Sequence, residues 1–271
     1  MGKYFTVEVK PDMGADGATT ALSTTFTDKD IMFDWHAFDV PKGANRLLSI
    51  TSIVRGLNGA AQLTESPGTT EDIELFFAKD IKGVAPSTLG VNNAGVILPT
   101  VAPWFPHIIG KVVIDTSAQS DGVNLIYVNV VNTDVSGVNG AAAYTNAPII
   151  LQGDSTAGYR KDGYDRIYVA GIALGAFDFN TGVVMNETDA ADLAALGTAT
   201  LIVDGTDVRH VFAVGDEVVM MDGAELGTIK SMTHDATDGT IVLESAHTDA
   251  IADGDEIFHK APITFIMNFE K

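Results

Sequence analysis

A chain of 271 residues, 46% of them hydrophobic and none a cysteine, can bury one large core or two smaller ones, with no disulfide or thiolate metal site to hold them. Sixteen Lys and Arg against 36 Asp and Glu give a net charge of −20, which repels phosphate backbones and sets nonspecific nucleic-acid binding outside the expected roles. The longest apolar stretches are strand-sized, well short of the roughly 18 residues of a membrane helix, so the chain reads as soluble, with neither nucleic acid nor membrane as a partner.

The N-terminus alternates like a strand over Tyr4–Lys10 and lacks the apolar core of a signal peptide, so it reads as the start of the fold. Seven further runs follow: Ile31–Val40, Arg46–Arg55, Asp72–Ala78, Ile108–Asp115, Asn124–Asn132, Ala147–Gln152 and Asp165–Leu174. Each carries β-branched or aromatic residues at period two between turn formers, the pattern of half-buried strands. Together they predict an all-β chain whose larger part, residues 1–184, is a jelly-roll-like β-sandwich. The connections Pro11–Thr25, Asp80–Pro106 and Thr133–Asn146 are long and rich in Gly, Ala, Asn and Pro, which marks them as functional surfaces or subunit-binding arms.

Residues 185–197 read as a linker containing one short helix, because Thr188–Gly197 joins a capping residue, an Ala/Leu-rich turn and a terminating glycine. Beyond it lie short strands at Ala199–Val203, Val208–Phe212, Glu217–Met221, Leu226–Ser231, Thr240–Leu243 and Glu256–His259. Asp-Gly pairs at 204–205, 222–223, 238–239 and 253–254 punctuate this region. Asp-Gly tolerates positive φ, and its recurrence between strands predicts a small β-barrel over residues 198–261. The final run, Pro262–Glu270, is too apolar for a loose tail, and the favoured expectation is that it returns to the sandwich. The barrel would then be an insertion, with residues 262–271 completing the first domain; the competing reading has this run close the barrel.

Charge is divided unevenly. From Asn186 to Lys271 there are 17 acidic residues and four basic ones, a net −13, leaving −7 for residues 1–185. Clustered acids resist burial against another protein without basic partners, so the N-terminal part is the better candidate for contact.

The residues that carry chemistry do not form a catalytic pattern. The six histidines, His36, His107, His210, His234, His247 and His259, lack helical metal-site spacing, and no G-x-S-x-G elbow is present. Asp235, Asp238, Asp249, Asp253 and Asp255 are the best-placed oxygen ligands for a cation, although the Asp-Gly turns already account for most of them. No enzymatic activity, metal or cofactor is expected. The segment Pro103-Trp104-Phe105-Pro106 stands out: an aromatic pair stiffened by flanking prolines is either a contact anchor or a plug over the sandwich core. These four residues are the candidate interface, whereas Trp35, inside a strand, is expected in the core.

The stretch Phe38–Gly43, then Leu47–Gly56 and Ile73–Lys79, resembles structural proteins of marine tailed bacteriophages, and Phe212–Val218 followed by Leu226–Lys230 resembles small domains of the same class of virion proteins. This resemblance implies a virion component. Nothing resembles the long spine helix of a major capsid protein, which implies an accessory head protein. The expected function is therefore decoration or cementing of a phage capsid surface, with the major capsid protein and further copies of the chain, as a homotrimer, for partners. A tail, baseplate or fibre component is the second reading, and a carbohydrate-binding β-sandwich the third.

Overall fold

Strands dominate the computed structural model, which describes residues 2–14, 22, 24–54, 72–96, 103–114, 126–130, 149–154, 162–177, 179, 183–184, 197–204, 207–235, 238–252 and 254–271. In chain order they are β1 (Tyr4–Val9), β2 (Ile31–Pro41), β3 (Asn45–Val54), β4 (Ile73–Lys79), β5 (Ile108–Ile114), β6 (Ile126–Val130), β7 (Ile149–Leu151), β8 (Tyr164–Ala173), β9 (Val183–Val184), β10 (Thr200–Asp204), β11 (Glu217–Met220), β12 (Glu225–His234), β13 (Asp238–Leu243), β14 (Glu256–His259) and β15 (Ile263–Glu270). The ladders joining them are antiparallel and make three sheets. One has the order β1-β15-β3-β6 with β7 also on β3, the second β2-β8-β4-β5, and the third β10-β13-β12-β11-β14-β9.

The first two sheets form a sandwich. Their inward side chains alternate along each strand, as period-two burial requires, and meet in one cluster that includes Phe33, Leu47, Ile50, Leu75, Phe77, Ile167, Val169, Phe265 and Phe269. Phe33 of one sheet reaches Phe265 of the other with ring centroids 5.7 Å apart. Gly171 on β8 makes room for that ring, since a Cβ there would lie 2.2 Å from Phe33 Cε1. At one rim β1 approaches β2, and at the other β5 approaches β7.

The turn from β2 to β3 shows how local sequence sets the register. Gly43 adopts φ +104°, a conformation that glycine enters without steric cost. Its N–H donates to Asp165 Oδ2 at 3.0 Å, and the Asn45 amide donates to the carbonyls of Pro41 and Gly43, both at 2.8 Å.

The third sheet has its own core, including Leu201, Val203, Val208, Phe212, Val218, Leu226, Ile229, Ile241 and Ile257. Strand β12 bends through an irregularity between Ile229 and Ser231, pairing first with β11 and then with β13. The sheet curls until β10 comes close to β9, but among the described residues no ladder joins those two strands, so closure into the barrel expected from the Asp-Gly turns is not confirmed. The expected strand Val208–Phe212 is instead a 3-10 turn at Val208–His210. Its apolar residues fall at i, i+3 and i+4, a helical spacing. Asp207 caps the turn by accepting the Arg209 N–H, and the Val208 carbonyl accepts from both Val211 and Phe212. The short helix expected over Thr188–Gly197 lies outside the described residues apart from Gly197, and the connection Thr133–Asn146 lies outside them altogether.

Strand β15 pairs with β1 from Tyr4↔Glu270 to Val9↔Phe265, and on its other side with β3 from Ile263↔Val54 to Glu270↔Arg46. Four of its side chains, Ile263, Phe265, Met267 and Phe269, are fully buried, each contributing on the order of 1.5–3 kcal/mol relative to exposure. A chain ending at Pro262 should therefore lose cooperative folding of the sandwich and not merely part of its stability. Far-UV circular dichroism through a thermal ramp checks this: retention of a sharp transition by the truncated chain would contradict the central role of β15.

Candidate functional site

The connection from β4 to β5 lies, over its described residues, on the outer face of the four-stranded sheet. Ile31, Ala170 and Ile172 of that sheet form a second cluster with Leu89 and Trp104 of the connection, and Trp35, Phe76, Val96 and Ile108 pack at its margin. Polar contacts fasten the covering: Trp35 Nε1–H donates to the Ser87 carbonyl at 2.8 Å, the Leu89 N–H to Asp34 Oδ1 at 3.0 Å, and the Ile31 N–H to the Ala94 carbonyl at 2.9 Å. A sheet covered on both faces needs apolar residues at successive positions. Accordingly, β8 is buried without a break from Ile167 to Ala173.

The two readings of the Pro103–Pro106 segment divide between its aromatic residues. Trp104 is 5% exposed and plugs the outer cluster, whereas Phe105 is 58% exposed. Pro103 and Pro106 are exposed as well. Trp104 is thus removed from the candidate contact surface, because covering the outer sheet face consumes its area. It supports Phe105 from below, with ring centroids 4.3 Å apart in an edge-on arrangement. A 3-10 turn at Phe105–His107 and the His107 ring fix the segment, Nδ1–H donating to the Lys79 carbonyl at 2.8 Å. A carbonyl only accepts, which assigns the proton to Nδ1. Trp35 is half-buried at the edge of the outer cluster and lies outside the central core expected for it.

A second constellation sits where the third sheet joins the sandwich. Lys260, between β14 and β15, places Nζ 2.6 Å from Glu225 Oε1, 3.3 Å from Glu217 Oε2 and 3.3 Å from Asp12 Oδ2, with its side chain 15% exposed. Its backbone is also tied to both sides, the N–H donating to the Glu217 carbonyl and the carbonyl accepting from Met13. Burial opposes the ammonium charge, but the Glu225 hydrogen bond and the Asp12 and Glu217 carboxylates outweigh it and raise the Lys260 pKa above the ordinary lysine range. Beside it, His259 and Asp216 form a buried pair, Nε2 to Oδ2 at 3.1 Å. Sequence reasoning missed this junction, because its members come from positions 12, 216, 217, 225, 259 and 260, and no local motif links them.

A groove of about 530 Å³ opens between the β1 and β2 edges, lined by Thr6, Val7, Glu8, His36, Ala37, Phe38, Asp39 and Arg166. Burial lowers the His36 pKa, with Asp12 acting against that shift. Phe38, the aromatic residue of the lining, is 6% exposed. The acids expected to attract a cation are used locally: Asp235 Oδ1 accepts the Asp238 N–H at 2.8 Å, and Asp255 Oδ2 accepts the Ala252 N–H at 2.6 Å. Among the described residues no group of three or more His, Asp or Glu is arranged to hold a metal; Asp253 lies outside them.

No protein-family model matches the chain, and no curated protein matches it. Among solved structures it aligns with the crystal structure of the infectious bursal disease virus VP2 subviral particle, at 9% identity over 99% of this chain and 41% of that one, with a TM-score of 0.20. It also aligns with the structure of the infectious bursal disease virus Gx strain, at 7% identity over 100% of this chain and 40% of that one, with a TM-score of 0.15. The chain spans less than half of either, and scores this low define no shared fold.

Two outcomes follow from this geometry. Trp104→Ala should cost about 3–5 kcal/mol in urea denaturation, as expected for emptying a large buried ring site, while Phe105→Ala should stay within about 0.5 kcal/mol of wild type. Equal costs would mean that the two rings share one environment. For Lys260, a raised folded pKa means stabilisation that is complete below its unfolded value of 10.5 and lost as pH climbs through the folded value. Wild-type stability should thus fall more steeply above that pH than that of Lys260→Met, the difference corresponding to one proton in parallel urea melts. Identical slopes would remove Lys260 from the junction's energetics.

Proposed function

We propose that this chain is a non-enzymatic structural component of a virus particle, decorating or cementing a tailed-phage capsid as a homotrimer. The observation that carries the reading is the presentation of Phe105: an aromatic ring 58% exposed between two exposed prolines, on a base made rigid by a buried tryptophan. Pre-ordering an anchor before contact lowers the entropic cost of binding, and aromatic side chains seated this way often dominate interface energies. The sandwich that bears it holds the smaller share of the negative charge. The acidic segment, with 17 acidic residues from Asn186 onward, then faces solvent, where its charge is hydrated.

The rim groove weighs against carbohydrate binding as the main role. Sugar recognition uses exposed aromatic faces beside polar groups, and among the described residues the groove's phenyl ring, Phe38, is buried.

The test is binding of the purified protein to shells that lack it. Saturation at a fixed copy number in multiples of three is expected, with Phe105→Ala weakening attachment at least tenfold, the effect of losing about 1.4 kcal/mol or more at a contact. Attachment to tails only would replace the capsid role with the tail or baseplate one, and a monomer both in solution and on the particle would overturn the trimer.

A further inference from the structure

The junction between the third sheet and the sandwich holds one imidazole by both of its ring nitrogens. The His259 side chain is 7% exposed, with Nε2 3.1 Å from Asp216 Oδ2, and its Nδ1 accepts the Ala261 N–H at 2.9 Å. A backbone N–H can only donate, so Nδ1 must present a lone pair. The ring's one proton then sits on Nε2 and is donated to Asp216. Asp216 is itself held in place, its Oδ2 accepting the Ala213 N–H at 2.6 Å. The Phe212 ring stacks on the imidazole, centroids 6.3 Å apart and planes 18° from parallel.

We propose that His259 is a pH-sensitive release for this junction. A second proton on the ring must go to Nδ1, where it would set two N–H groups against each other at the position now occupied by a hydrogen bond. Ala261 has to withdraw. The opposite side of the ring responds in the other sense, because the Nε2–H bond to Asp216 becomes charge-assisted and stronger. The imidazole therefore stays with β11 while the chain leading into β15 lets go.

The location gives this event its consequence. Ala261 lies between Lys260, whose backbone bonds tie together Glu217 and Met13, and Ile263, the first residue of β15. Releasing it loosens the one covalent exit from the third sheet and leaves the β15 ladders intact. Among the described residues, the charged groups around the ring are Asp216 in direct contact and Lys260 next in the chain, the latter surrounded by Asp12, Glu217 and Glu225. On acidification the third sheet gains freedom relative to a sandwich that stays folded.

Hydrogen–deuterium exchange on the intact protein tests this at about pH 8 and pH 5, the range across which histidine changes charge, with rates corrected for intrinsic pH dependence. Peptides covering Phe258–Ile263 should lose protection by roughly tenfold in the wild type, as expected when one buried hydrogen bond is broken. His259→Asn, whose side-chain oxygen can accept the Ala261 N–H without titrating, should show no such loss. Equal protection at both pH values in the wild type, or the same loss in the Asn variant, would overturn the proposal. If that variant does not fold, ¹⁵N NMR of the wild-type imidazole decides. The Nε2–H tautomer at pH 8, and His259 titration in step with Ala261 deprotection, support the release; an Nδ1–H tautomer or independent titration refutes it.

Discussion

The ladder between β15 and its two neighbours is the constraint on which the rest of the structure depends. β1 has its ladder on β15, and β15 in turn lies against β3. β1 and β15 are thus adjacent, and the chain that builds the third sheet between β8 and β15 has to leave the sandwich and return to it. A backbone N–H or C=O buried without a partner costs about as much as a lost hydrogen bond. The central place of β15 therefore obliges the third sheet to deliver the chain back at the correct height and direction. Lys260 stands at that point, and its contacts reach Asp12 beyond the end of β1, Glu217 on β11 and Glu225 on β12.

The same geometry explains why the four-stranded sheet is covered twice. Its inner face contributes Phe33, Leu75, Phe77 and Val169 to the sandwich core, and its outer face contributes Ile31, Ala170 and Ile172 to the layer under Leu89 and Trp104. Covering that outer face takes a long connection, and the connection in turn raises Phe105 at the surface. Adjacent residues thus take opposite solvent exposure. Trp104 supplies burial, and Phe105 supplies a surface that burial has made rigid.

The junction combines two kinds of electrostatics. Lys260 is an ammonium shared by three carboxylates, a contact that grows stronger as water is excluded. The His259–Asp216 pair is instead a buried hydrogen-bonded unit. With 17 acidic residues from Asn186 onward against four basic ones, self-repulsion within this part of the chain is substantial, and Lys260 is the basic residue placed where it offsets that repulsion against the sandwich. The groove at the β1–β2 rim lies close by, since Asp12 influences both Lys260 and His36.

Alternation alone was enough to locate most strands, and Ile31–Pro41, Asn45–Val54, Ile73–Lys79, Ile108–Ile114 and Tyr164–Ala173 lie within a residue or so of where the pattern puts them. The period of a half-buried strand is written in neighbouring residues, so no distant contact is needed to read it. Two elements escaped that reading. Val208–Phe212 has its apolar residues, Val208, Val211 and Phe212, at a helical spacing that a period-two reading passes over, and Val183–Val184 is too brief to carry a period at all. The candidate site was half legible: Pro103–Pro106 announced itself through composition, but which ring faces inward depends on Ile31, Leu89, Ala170 and Ile172 arriving beneath it. The sequence by itself determined most of the strands and the uneven charge, because each is a property of adjacent residues, but not every turn: Asp238-Gly239, expected between strands, opens β13 and pairs with Asp204 and Val203 of β10. Only the tertiary structure decided the burial of Trp104, the exposure of Phe105 and the meeting of Asp12, Asp216, Glu217, Glu225, His259 and Lys260, because these depend on which distant surfaces exclude water from one another.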